Sequence, residues 1–247
     1  MIIVEACVNS VTSAIEAEKG GAHRVELCDN LYEGGTTPSA ATIIITAQSI
    51  GIDLHVLIRP RGGDFLYSDL EFEVMKRDIL FCKENGVKGV VLGILKENGD
   101  VDVNRTHELI EVASPMSVTF HRAFDMVKDP IQSLEDVIKS GCHRILTSGL
   151  ANKVTNGQEM VRRLLQNANG RIIIMAGSGI NHDNAEELVK QTGVTELHAS
   201  ARSSYPSKMK FIREGILMGS LPEIPEFEIS LTDSHKIKLI VQSVSEY

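Results

Sequence analysis

The chain has 247 residues, 43% of them hydrophobic and 23% charged, with a formal net charge of -8. This length and balance suffice to bury a core without disulfides or metal, and one β/α barrel of about 250 residues would use all of it. The acidic balance with scattered Lys and Arg argues against a nucleic-acid reader, and no run approaches the roughly 20 apolar residues of a membrane span, so neither partner is expected.

Met1-Ile2-Ile3-Val4-Glu5 has no basic region or small-residue cleavage site and reads as a strand, not a leader. Strand candidates fall at about 2–7, 23–28, 53–59, 88–93, 116–121, 143–147, 171–176 and 194–199. Helical patterns separate them. Thr37-Pro38 is expected to open one that Gly51 closes. Asp129 caps another that starts at Pro130, carries Ile131, Leu134 and Ile138 on one face, and ends at Gly141. Asn181 is expected to open one that Gly193 closes. The helix-to-strand joints repeat: Gly21-Ala22-His23-Arg24-Val25 resembles Gly141-Cys142-His143-Arg144-Ile145. After about 206 the pattern loosens around Pro206, Pro222 and Pro225, and a last helix is expected over about 232–246, with Ile237, Ile240, Val241 and Val244 apolar. Strict alternation predicts a parallel sheet with right-handed crossovers. Eight units predict α/β architecture as a single (β/α)8 TIM barrel domain over 1–247, with an open doubly wound sheet as the alternative.

Parallel strands are usually apolar on both faces. Here they alternate: Val4 and Ala6 with Glu5 and Cys7, Val25 and Leu27 with Glu26 and Cys28, Val118 and Phe120 with Thr119 and His121. The apolar set should face the helices, which turns Glu5, Glu26, His55, Arg59, His121, Glu196 and His198 into the barrel. One reading is a polar plug that only fixes packing. The other is a site at the strand C-terminal ends, where acids and histidines suit acid–base work.

Met175-Ala176-Gly177-Ser178-Gly179-Ile180-Asn181 follows the seventh strand. If a helix begins there, Gly177, Ser178 and Gly179 expose N–H groups to an anion, and Arg202 beyond the eighth strand adds a cation. The plain alternative is a tight turn. A third glycine is missing, so no nucleotide cofactor is expected. Arg59 and Arg61, in Arg59-Pro60-Arg61-Gly62-Gly63-Asp64-Phe65, can clamp a carboxylate or phosphate, or simply pair within a solvated loop. Cys7, Cys28, Cys82 and Cys142 include no C-x-x-C pair, which suits a reducing, cytoplasmic setting. Cys7 and Cys28 end neighbouring strands, where they are either buried thiols or ligands for one soft ion such as Cu(I).

Long strings carry a family resemblance: Glu5-Ala6-Cys7, Arg24-Val25-Glu26-Leu27-Cys28, Ile58-Arg59-Pro60-Arg61-Gly62-Gly63-Asp64-Phe65, Thr119-Phe120-His121-Arg122-Ala123-Phe124-Asp125, Ile145-Leu146-Thr147-Ser148-Gly149 and Ala176-Gly177-Ser178-Gly179-Ile180. Through these the chain resembles the copper homeostasis protein CutC family from Ile3 to His198. The resemblance implies a cytoplasmic β/α barrel concerned with copper handling, with Cu(I) held by two strand-end cysteines that fall on Cys7 and Cys28. A homodimer is the expected assembly.

Two functional readings follow. In the first, Cys7 and Cys28 bind a copper ion as the metal ligands, with Glu and His residues around them. In the second, the chain is an enzyme for a small phosphorylated or carboxylated metabolite. Glu5, Glu26 and His121 would then share acid and base roles, and Arg59 and Arg61 would orient the substrate. Gly177, Ser178, Gly179 and Arg202 would hold its anion. A barrel kept only as an interaction scaffold is the third possibility.

Overall fold

The computed structural model describes residues 1–213, 215–216, 218 and 224–247; Pro222 lies outside the described residues. Eight parallel strands close into one barrel in sequence order: β1 (Ile3–Val8), β2 (Arg24–Leu27), β3 (Asp53–Leu57), β4 (Gly89–Leu92), β5 (Ser117–Phe120), β6 (Arg144–Thr147), β7 (Ile173–Gly177) and β8 (Glu196–Ala199). β1 pairs with both β2 and β8, which seals the ring. The expected closed barrel is therefore found, and the open sheet is not. Among the described residues, no helix is long and apolar enough to cross a membrane.

The period-two pattern sets the register. Val4, Ala6 and Val8 on β1, and Val25 and Leu27 on β2, join one apolar layer between the strands and the helices. That layer is covered by α1 (Val11–Lys19), α2 (Ala40–Ser49), α3 (Asp69–Glu84), α4 (Val103–Ala113), α5 (Pro130–Ser140), α6 (Val154–Ala168), α7 (Ala185–Thr192) and α8 (Ser234–Ser243). Asp129 caps α5 as expected, accepting from the Ile131 and Gln132 N–H groups with Pro130 in the first turn.

The repeated joints do the same work twice. His23 Nδ1 accepts the Val4 N–H at 3.0 Å, and His143 Nδ1 accepts the Val118 N–H at 3.0 Å. Each histidine satisfies the backbone of the preceding strand, and the arginine after it turns inward.

Three boundaries differ from expectation. α2 starts at Ala40 behind Ser39, because Thr37 is tied to the end of β3: its N–H donates to Arg59 O and its Oγ1 accepts from Arg59 N. α7 starts at Ala185, because the Asn181 N–H donates to Asn184 Oδ1 and closes a turn first. The loose tail contains an antiparallel pair, β9 (Arg202–Pro206) and β10 (Glu228–Thr232), before α8. α8 then docks on Gly20 at the end of α1, where a Cβ would meet Ile237 Cβ and Ser234 O at 2.6 Å.

Candidate functional site

The inward side chains form two storeys. In the lower one, Arg24 Nε donates to Glu5 Oε2 at 2.5 Å and Arg24 Nη2 to Glu196 Oε2 at 2.6 Å. Arg144 meets Glu196 with two donors, Nε at 2.6 Å and Nη2 at 3.0 Å, and gives Nη1 to Thr119 Oγ1 at 3.2 Å. All four charged groups are buried, so two guanidinium and two carboxylate groups neutralise one another out of water. This part of the barrel is the polar plug.

The upper storey opens into a cavity of about 730 Å³. Its deep part holds Cys7, Cys28, Glu26 and His198, beside Leu57 and Leu146. Cys7 Sγ and Cys28 Sγ lie 3.7 Å apart. His198 Nδ1 faces Glu5 Oε1 at 2.8 Å, which turns Nε2 towards Glu26 Oε2 at 3.6 Å. Cys7 Sγ, a Glu26 oxygen and a His198 nitrogen lie within 4.8 Å of one another. Phe65 and His121 flank the cavity with ring centroids 5.1 Å apart, and Arg122, Lys96 and Asp64 also line it.

A model of the CutC family matches residues 2–203. The chain belongs to the CutC family. It is 46% identical over 244 residues to a CutC family protein of Chromobacterium violaceum, covering 99% of this chain and 98% of that one. It is 45% identical over 238 residues to the human copper homeostasis protein cutC homolog, covering 96% of this chain and 87% of the human one. The crystal structure of the putative copper homeostasis protein CutC from Streptococcus agalactiae superposes with a TM-score of 0.78 at 37% identity, covering 81% of this chain and 99% of that one.

In this CutC-family chain, charge and burial set the protonation of the deep groups. The hydrogen bond that the Cys7 thiol donates to Cys28 Sγ, then burial and the Glu26 charge, push the Cys7 thiol well up. Burial alone would lower His198, but Glu26, Cys7 and Glu5 outweigh it and raise its value well above the ordinary one. Burial raises Glu26, partly offset by His198. His121 is lowered to about 3 by burial and then by Arg59. Its Nδ1 accepts the Ala123 N–H at 3.1 Å, so the neutral ring carries its proton on Nε2, which has no partner among the described residues. Gly93 makes room for this ring, since a Cβ there would sit 2.5 Å from His121 Nδ1.

Of the residues singled out in the sequence, Cys7, Cys28, Glu26, Arg59, His121 and His198 share the cavity. Glu5 does not line it; it sits beneath, bound to Arg24 and His198. Arg59 lines the wall, but three of its N–H groups are given to the carbonyls of Glu33, Gly35 and Gly63 at 2.7, 2.8 and 2.7 Å. It clamps loops rather than reaching inward. Arg61 is likewise spent, on Glu71 at 2.5 Å, on Asp64 at 3.0 Å and on the Leu66 carbonyl at 2.8 Å.

The glycine loop corrects the expectation of bare N–H groups at a helix start, because α7 begins only at Ala185. Ser178 Oγ donates to Asn152 O at 2.7 Å, Asn184 Nδ2 donates to Gly179 O at 2.9 Å, and Val154 N–H donates to Ser178 O at 3.0 Å. Arg202 starts β9 with an exposed side chain. The cavity lining includes none of Gly177, Ser178, Gly179, Arg202 and Arg61, so these residues do not assemble around it.

Sequence reasoning missed Arg144. The signal for Arg144 is the repeated joint, in which it holds the place after His143 that Arg24 holds after His23. Asp125 accepts from Thr147 Oγ1 at 2.5 Å, Ser148 N at 3.0 Å, Leu150 N at 3.1 Å and Arg122 Nε at 2.7 Å, so it fixes the loop after β6 beside the cavity.

Proposed function

We propose that this chain is a cytoplasmic protein of copper homeostasis that binds Cu(I) between Cys7 and Cys28. The observation that carries this reading is the 3.7 Å approach of the two sulfur atoms in the deep part of a cavity. Thiolates are soft ligands that suit Cu(I). With metal–sulfur bonds of about 2.3 Å, that spacing leaves the ion bent and accessible to a further ligand. The names of the human and Streptococcus agalactiae relatives point the same way. The test is an anaerobic Cu(I) titration against a competing chelator. Replacing both cysteines by serine should abolish tight binding, and unchanged affinity would exclude this pair.

The proposal includes a homodimer. Tyr205 and Ile229 are cross-strand partners on β9 and β10, and both are exposed, as are Met209, Phe211 and Ile212. A second copy can cover such a surface. Light scattering on the eluting protein measures the assembly directly.

A second reading is favoured by cavity size. A volume of about 730 Å³ suits an organic molecule far better than an ion alone. Glu26 and His121 then serve acid–base chemistry on a small phosphorylated or carboxylated metabolite, with Arg122 and Lys96 drawing in its charge. A thermal-shift screen of such metabolites tests it, and no stabilisation by any anion would count against it.

A further inference from the structure

We infer that Cys7, Glu26 and His198 form a second metal-binding set, suited to a divalent ion of the zinc class, with one coordination position left open to the cavity. This goes beyond the copper reading and rests on it only in sharing Cys7.

The three donors come from adjacent strands β1, β2 and β8 and all point inward, with ligand atoms within 4.8 Å of one another. Cys28 Sγ lies 3.7 Å from Cys7 Sγ but is not part of that group. The His198–Glu26 contact of 3.6 Å is too long for a hydrogen bond. It is close to the spacing of two ligands on one tetrahedral ion, which is about 3.4 Å for bonds of about 2.1 Å.

The surroundings are those of a ligand histidine. Glu5 Oε1 accepts from His198 Nδ1 at 2.8 Å and turns Nε2 towards Glu26, where a metal ion would displace its proton; this is the arrangement that orients ligand imidazoles. Arg24 in turn holds Glu5. Glu26 is buried, and His198 is its one charged contact within 4 Å among the described residues. The groups that face this buried carboxylate are the other two donors, Cys7 and His198, so one metal ion in place of their protons would partner all three at once. Donor chemistry then selects the ion. A thiolate, an imidazole and a carboxylate together suit zinc, whereas Cu(I) prefers the two sulfurs. Three protein ligands with an open fourth position make a site that activates water or a carbonyl, and here that position faces the cavity.

The two modes compete for Cys7, so separate substitutions resolve them. The reduced, metal-free full chain is titrated with Zn²⁺ against a chromogenic chelator, and with Cu(I) in parallel. Glu26→Gln and His198→Gln should each weaken Zn²⁺ by about tenfold or more, while Cys28→Ser leaves Zn²⁺ near the wild-type value. For Cu(I) the pattern reverses: Cys28→Ser weakens it and Glu26→Gln does not. Co²⁺ in place of Zn²⁺ should give a thiolate charge-transfer band that Cys7→Ser removes. Glu26→Gln changes no volume, so it carries the test if His198→Gln folds poorly.

No Zn²⁺ binding, or binding indifferent to Glu26→Gln, overturns the inference. Zn²⁺ lost as strongly in Cys28→Ser as in Glu26→Gln also overturns it, because the ion then bridges the thiols. If Cu(I) ignores both cysteines while the Zn²⁺ pattern holds, the copper reading falls and this one stands.

Discussion

Glu5 Oε1 lies 2.8 Å from His198 Nδ1, and through that contact the sealed lower network reaches the deep end of the cavity. Burial alone would raise the Glu5 carboxyl. Arg24, His198 and His55 outweigh it and hold the group well below the usual carboxylate range. Glu5→Gln keeps the shape and removes the charge, so Arg24 retains only Glu196, which Arg144 already shares. Breaking a buried pair in this way costs about 3–5 kcal/mol. The expected result is a lower urea midpoint with little change in m-value. An unaltered midpoint would mean that this carboxylate does not balance Arg24.

Stability should fall on both sides of neutrality, for opposite reasons. Burial lowers His55 to about 4 and His121 to about 3 from an ordinary 6.5, with Arg24 and Arg59 respectively adding to it. Below 6.5 the unfolded chain takes up protons that these two rings refuse in the fold, so acid favours unfolding. His198 is raised instead. Its contribution is fully present below 6.5 and is lost as pH rises through its folded value. Glu26, raised by burial, partly offsets the acid limb. Single substitution isolates one group: His121→Gln should flatten the acid limb by up to about 1.4 kcal/mol per pH unit between about pH 6 and 4. Denaturation curves across pH measure this, and parallel limbs in the two proteins would refute it.

Facing was legible in the sequence, and depth was not. Period two turned Glu5, Cys7 and Glu26 inward because Val4, Ala6, Val25 and Leu27 had to meet the helices. Residues two apart on a strand share a face but differ by about 6.6 Å in height, so Glu5 fell into the sealed network and Cys7 into the cavity. Side-chain spending was equally hidden. Arg59 and Arg61 look free in the sequence, yet the carbonyls they bind exist only once the 30–36 and 61–66 loops have folded. The β9–β10 pair joins segments that are distant along the chain, with no local signal to match them.

Arg59 therefore invites a test as a clamp. Its planar fork serves Glu33, Gly35 and Gly63 carbonyls at once, and its head lies 5.0 Å from the Phe65 ring centroid. Lysine keeps the charge but cannot reproduce three divergent bonds. Arg59→Lys should cost about 2–3 kcal/mol and speed hydrogen exchange in the loops around Gly35 and Gly63. Cu(I) affinity should change little, since the thiols sit on other strands. Exchange rates that match the wild type would show that the loops hold themselves.

Gly20 offers a case where the usual rule for glycine should reverse. Its φ is -73°, a conformation alanine adopts freely, so Gly20→Ala would ordinarily stabilise by about 0.4–1 kcal/mol through the unfolded chain. Here the added Cβ would meet Ser234 O and Ile237 Cβ at 2.6 Å, and both belong to α8. One of those atoms is backbone and the other is fixed to it, so neither can swing aside. Overpacking of this kind costs about 1–3 kcal/mol, which exceeds the entropic gain. Gly20→Ala should therefore lower the thermal midpoint, with faster hydrogen exchange concentrated in Ser234–Ser243. A raised midpoint would mean that α8 shifts at little cost, and that this helix is held by its apolar face against α1 and α7 rather than by close contact at the glycine.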